Sequence, residues 1–181
     1  MAITVILFFV LFMADQVLKF VVERVALNST LVVIPNFLEL KLSYNPGMAW
    51  GALGNNTLLL TIFSAVATIV LCYFATKINW KRNKAGGIFL TLALAGCVGN
   101  LFDRLITVFG WRAGVVDMII LKPFDWICEL LHLGTTIFNL ADAFLVIGVI
   151  GFAIDFCFFA DRKKKKYENK NREELRESKN W

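Results

Sequence analysis

Residues 138–160 read "FNLADAFLVIGVIGFAIDFCFFA". At about 1.5 Å per residue, a helix of this length crosses roughly 30 Å of hydrocarbon. Yet the run opens with Asn139 and Asp142, three residues apart, polar groups whose insertion cost a plain anchor would not incur. Three other segments have the same apolar character: roughly Ala2–Val22, Thr57–Thr76 and Gly86–Val108. The 181-residue chain is 58% hydrophobic and its mean hydropathy is +0.66, well above the roughly 45–50% apolar usage of soluble domains. These features predict an α-helical integral membrane protein, with four transmembrane helices in one domain over residues 1–161 and a basic tail at 162–181. The first run has no basic n-region, carries Asp15 and Lys19 late, and ends without a small-x-small cleavage site. It is expected to remain as a spanning helix, not to be removed as a signal.

The formal charge is +5, from 19 Lys and Arg against 14 Asp and Glu, and much of the excess sits in "RKKKKYENKNREELRESK" at 162–179. A basic segment beside a membrane helix marks the cytoplasmic side and contact with anionic lipid, which argues against a nucleic-acid partner. Lys77, Lys81, Arg82 and Lys84 lie between the second and third runs, whereas the loops at 27–56 and 109–137 carry few cations. Both termini and the short 77–85 connection are therefore expected on the cytoplasmic face, with the two long loops outside. Cys72, Cys97, Cys128 and Cys157 form no C-x-x-C, and His132 has no Cys or His at ligand spacing. They predict small buried hydrophobes, with neither a metal site nor a cofactor.

The outer loops carry their own patterns. In "FLELKLSY" (37–44) Leu38, Leu40, Leu42 and Tyr44 alternate with Glu39, Lys41 and Ser43, the period of a half-buried strand. The preceding "LVVIPN" (31–36) could pair with it through a Pro35-Asn36 turn, giving a small sheet beside the membrane. In "FDWICELLHL" (124–133) Trp126, Ile127, Leu130 and Leu133 share a helical face, so a short interfacial helix is expected there. "AGVVDMI" (113–119) reads as a mostly apolar loop at the membrane surface, with Asp117 inside it.

Depth gathers the polar residues into one layer. Asp15 and Lys19 lie late in the first, outward-running helix; Asn100, Asp103 and Arg104 lie late in the third; Asn139 and Asp142 begin the inward-running fourth. Spacings of three and four put each set on one helical stripe. Gly96 and Gly99 would let a neighbouring backbone approach the third helix. The bland reading is a set of ion pairs and amide bonds that lock four helices, which Asp15 with Lys19 and Asp103 with Arg104 would satisfy. Asp142 fits it less well, having an amide at i−3 but no cation within a turn. The loop carrying Asp117 starts and ends in the same layer. Two carboxyls in one apolar cleft share a proton, so that one serves as base towards water while the other donates to a carbonyl. Asn45, ahead of the Pro46-Gly47 turn, could face the mouth of this site. No phosphate loop, no H-E-x-x-H and no Ser or Cys with a nearby His offers a competing chemistry. A proton-coupled transporter relaying through Asp15, Asp103 and Asp142 is the rival reading, although the inner halves of the second and third helices offer little beyond threonines. A structural assembly factor is another.

Five ordered stretches, "DQVLK" (15–19), "NPGMAWG" (45–51), "GNLFDR" (99–104), "VVDM" (115–118) and "FNLAD" (138–142), resemble those of the bacterial lipoprotein signal peptidases, or type II signal peptidases. The resemblance implies a four-helix peptidase of the inner membrane with a periplasmic sheet and a small helix. Its catalytic aspartates would be Asp117 and Asp142. Its substrates would be diacylglyceryl-modified prolipoproteins, cut just before the lipidated cysteine without a metal. It further implies that Asp15, Lys19, Asn45, Gly47, Asn100, Asp103, Arg104, Asn139 and Ala141 shape the pocket, hold its polar network or contact substrate. A monomer bathed in membrane lipid is expected. The chain departs from the family pattern in having Met118 after the first aspartate, no proline before "FNLAD", and a long 117-to-142 interval that adds Asp125 and Glu129.

Overall fold

The computed structural model describes residues 2–25, 29–46, 56–81, 83–131 and 135–158. Gly47, His132, Leu133 and the basic tail at 162–181 lie outside these residues. The helices are α1 (Ala2–Val25), α2 (Thr57–Lys77), α3 (Lys84–Val108), α4 (Lys122–Leu130) and α5 (Leu140–Phe158). All but α4 are long and apolar enough to span a membrane, and with the small sheet they make the expected fold class. Asparagines cap α2 and α3: Asn56 accepts from Leu59 N–H at 3.1 Å and Asn83 from Gly86 N–H at 2.9 Å. Each satisfies one of the donors that a helix N-terminus leaves free.

Helix α3 is the centre of the bundle. Of its most apolar window 56% is buried, against 6–17% in the other three spanning helices, so their outer faces are left exposed. Close approach is licensed by missing side chains, as Gly96 suggested. A Cβ there would strike the carbonyl of Ala141 and come within 2.6 Å of Leu145 N, while one on Gly148 would lie 2.7 Å from Ala93 Cα. The backbones of α3 and α5 therefore touch directly.

Strands β1 (Leu31–Ile34), β2 (Leu38–Asn45) and β3 (Val115–Leu121) form an antiparallel sheet in the order β1-β2-β3. The β1–β2 hairpin forms at Pro35-Asn36 as its sequence suggests. Asn36 takes φ 59°, a left-handed conformation that asparagine tolerates. Strand β3 replaces the expected surface loop. It pairs Asp117 with Ser43 and Val115 with Asn45, and it is buried through most of its length. Val116 and Met118 pack with Val22 of α1, which docks the sheet on the helices.

Helix α4 begins directly after β3, with Pro123 in its first turn, where a proline costs no hydrogen bond. It spans 122–130 where 124–133 was expected, and Trp126, Ile127 and Leu130 are exposed on it. Helix α5 starts two residues later than its hydrophobic run. Phe138 instead bridges to Ile119 of β3, exchanging backbone hydrogen bonds at 2.8 and 3.0 Å.

Candidate active site

That bridge delivers the start of α5 to the middle of β3. Asn139, the residue between them, caps the helix: its Oδ1 accepts from Asp142 N–H at 2.9 Å, and Asp142 Oδ2 accepts from Asn139 N–H at 3.2 Å. This is the reciprocal arrangement of a capping box, with Asn and Asp in place of Ser or Thr and Glu. The pairing satisfies two N-terminal donors and fixes the Asp142 rotamer. With its acceptor turned inwards to the cap, the Asn139 side chain points its Nδ2 away from the helix. It donates to Asp117 Oδ1 at 2.7 Å and to Asn100 Oδ1 at 3.1 Å.

Both carboxylates are thereby enclosed by amides. Asp117 also accepts from Asn45 Nδ2 at 3.0 Å, through Oδ2. Asp142 also accepts from Asn100 Nδ2 at 2.7 Å, through Oδ1. All four carboxylate oxygens thus receive an N–H from Asn45, Asn100 or Asn139. Asp117 is 4% exposed. Burial first, and the neighbouring Asp142 charge second, push its pKa from 3.8 up to about 7, against the opposing pull of Asn45, Asn139 and Lys19. A buried carboxyl beside a second carboxylate keeps its proton more readily than either would in water.

Beneath the amides lies a wholly buried ion cluster. Lys19 Nζ sits 2.7 Å from Asp15 Oδ2 and 2.6 Å from Asp103 Oδ2, with side-chain exposures of 0–1%. It also reaches Asn100 Oδ1 at 3.5 Å. Asp15 Oδ1 accepts the N–H of Ala141 at 2.9 Å, so α1 supplies a further capping acceptor to α5. Ala141 is itself fully buried, against Gly96 and Gly99, which explains a small residue between the two polar ones.

The structure therefore brings together Asp15, Lys19, Asn45, Asn100, Asp103, Asp117, Asn139, Ala141 and Asp142. Arg104 turns aside, donating from Nη1 to Ser64 Oγ on α2 at 3.0 Å. The expected pairing of Asp103 with Arg104 is replaced by Asp103 with Lys19 and with Arg112, whose Nη1 lies 2.7 Å from Asp103 Oδ1. Adjacent residues on a helix point roughly 100° apart and do not face each other. Asp125, the alternative loop carboxylate, is buried and accepts from Thr136 N–H at 3.1 Å, tying α4 to the chain that leads into α5. Glu23 and Arg112 were not anticipated as part of this network. The signal for Glu23 was the 15/19/23 spacing, which extends the α1 stripe by one turn. Among the described residues no group of three or more His, Cys, Asp or Glu is placed to hold a metal ion.

Two carboxyls tied to one asparagine, one of them buried with its pKa raised, are equipped for general acid–base work on a carbonyl and a water. Known proteins resemble this chain along most of its length. Residues 7–158 match the family model described as "Signal peptidase (SPase) II". A lipoprotein signal peptidase of Staphylococcus aureus (strain JH9) is 32% identical over 166 residues, covering 91% of this chain and 93% of the relative. One from Fusobacterium nucleatum is 29% identical over 163 residues, 90% of each chain. Two solved bacterial membrane enzymes superpose with TM-scores of 0.73 and 0.70 at 29% and 30% identity, covering 90% and 86% of this chain and 92% and 93% of theirs. A match to the family model that runs from α1 to the end of α5 means that this chain belongs to the signal peptidase II family, as a multi-pass membrane peptidase of the aspartic class.

Proposed function

We propose that Asp117 and Asp142 are the catalytic pair of this peptidase, which removes signal peptides from prolipoproteins by cutting just before the diacylglyceryl-modified cysteine. The observation that carries this reading is Asn139, which binds both carboxylates at once and holds them close together. Asp117 carries the shared proton, in keeping with its raised pKa. Asp142 accepts a proton from water as the water oxygen bonds to the scissile carbonyl carbon, and Asp117 protonates the carbonyl oxygen, giving a gem-diol. The C–N bond then breaks. The leaving cysteine nitrogen takes the proton from Asp142, a gem-diol hydroxyl returns one to Asp117, and the signal peptide departs as a carboxylic acid.

The amides of Asn45, Asn100 and Asn139 are committed to the carboxylates, so they are site-supporting groups that spare the pair any reorganisation. Arg104, whose Nε is buried without a partner among the described residues, is the candidate for a substrate carbonyl. Gly47 is assigned a substrate-binding or site-supporting role on family resemblance. The sheet end of the bundle faces outwards and both termini lie in the cytoplasm of a bacterial cell, with the chain in the inner membrane. This orientation rests on the cations at 77–84 and 162–179 and the positive-inside tendency. The enzyme acts as a monomer, and its substrate's acyl chains stay among the lipids, so that only the signal helix and the cysteine segment need positioning.

The test is processing of a diacylglyceryl-modified precursor by purified protein with chelator present. Asp117→Asn and Asp142→Asn should each insert and fold yet leave the precursor uncut. Wild-type turnover in either variant would refute the assignment.

A further inference from the structure

Arg112 lies outside the motifs that carry the family resemblance and touches neither carboxylate of the pair, yet two chains of contact lead from it to both. Its guanidinium forks: Nη1 is 2.7 Å from Asp103 Oδ1 on α3, and Nη2 is 2.7 Å from Glu23 Oε2 at the end of α1. Along the first branch, Asp103 holds Lys19 at 2.6 Å, Lys19 reaches Asn100 at 3.5 Å, and Asn100 donates to Asp142 at 2.7 Å. Along the second, the Glu23 carboxylate interacts with the Tyr44 hydroxyl of β2 and helps to raise its pKa. Tyr44 precedes Asn45 on β2, and Asn45 donates to Asp117 at 3.0 Å. The segment carrying Arg112 also presses on β2 directly, since a Cβ on Gly114 would lie 2.8 Å from the Asn45 carbonyl oxygen. Arg112 is 14% exposed and Asp103 is fully buried, so the fork is shielded from the solvent that weakens surface pairs.

We propose that Arg112 is a positioning residue: its fork clamps α1 to α3 at the sheet end and so sets the placement of Asp117 relative to Asp142. This rests on those two residues being the catalytic pair. A planar fork holds two carboxylates at fixed spacing, which a lysine ammonium cannot reproduce. A displacement of about 1 Å at a reacting centre costs on the order of a hundredfold in rate.

The experiment measures kcat and KM of the full-length protein on a diacylglyceryl-modified peptide, per folded molecule, for Arg112→Gln, Arg112→Lys and Arg112→Gln with Glu23→Gln, with Asp142→Asn alongside. Arg112→Gln should lose about a hundredfold in kcat with KM within about twofold. Arg112→Lys should recover part of that loss, and adding Glu23→Gln should cost nothing further, because both act through one fork. The inference is overturned if kcat per folded molecule stays at the wild-type level, if only KM rises, or if the lost activity equals the lost folded fraction. Should Asp142→Asn process at the wild-type rate, the catalytic reading itself is wrong. An inactive Asp142→Asn beside a fully active Arg112→Gln would overturn the positioning role alone.

Discussion

Asn139 and Asp142 each accept a hydrogen bond from the other's backbone N–H, at 2.9 and 3.2 Å. The same three-residue spacing that begins helix α5 therefore aims the Asn139 amide at Asp117 of β3, and the cap and the candidate site are one construction. Asn139→Ser keeps the cap acceptor but loses the reach to Asp117 and Asn100, whereas Asn139→Ala loses both. Each is expected to lower processing by at least about a hundredfold, and the alanine variant should be less stable than the serine variant by about 1 kcal/mol. Equal melting midpoints for the two would show that the cap contributes nothing.

The pH dependence follows from Asp117. Its carboxyl is raised from 3.8 to about 7 in the fold, and the proposed chemistry needs one proton on the pair, so turnover should fall as pH rises through about 7. Stability has its own sign. Between 3.8 and about 7 the folded state holds a proton that the unfolded chain releases, so stability should decline with rising pH across that window and level off above it. Asp117→Asn should flatten this slope. Melting curves from pH 4 to 8 in detergent compare the two.

Lys19→Met removes the cation between two wholly buried carboxylates. A stability loss of about 3–5 kcal/mol is expected from the uncompensated charge. Adding Asp103→Asn to Lys19→Met should restore part of it, and an additive further loss would show that Asp103 is not the stranded group.

Gly96→Ala places a methyl group on the Ala141 carbonyl and the Leu145 backbone. Overpacking of this kind costs about 1–3 kcal/mol. Because it displaces the very turn that holds Asp142, activity should fall further than stability does, measured as turnover per folded molecule.

Asp125→Ala removes the acceptor for Thr136 N–H and no group in contact with the carboxylate pair. Activity should fall less than about tenfold, with about 1–2 kcal/mol lost in stability. Abolished processing would reassign the loop carboxylate.

The spanning helices were legible because a long apolar run has few alternatives, and the β1–β2 hairpin because alternation and a Pro-Asn turn agree. Their ends were less so. Helix α1 continues to Val25 because Glu23 has a partner 89 residues away in Arg112, and α5 begins late because Phe138 is held by β3. Strand β3 shows no alternation: both of its faces are covered, so "VVDMIIL" reads as a plain apolar run, and only its β-branched content hinted at a strand. The polar layer was visible from depth and spacing, but its pairings were not. Asp103 finds Lys19 and Arg112 in space and not its neighbour Arg104, a choice that helix geometry makes only once the elements are packed.

Asp142 stands on the last described helix, and three of the groups that hold Asp117 and Asp142, namely Asn45, Asn100 and Asn139, come from β2, α3 and the start of α5. A ribosome must therefore finish almost the whole chain before the pair of acids exists. A molecule synthesised only as far as β3 carries Asp117 without Asp142, and so lacks half of the proposed catalytic pair.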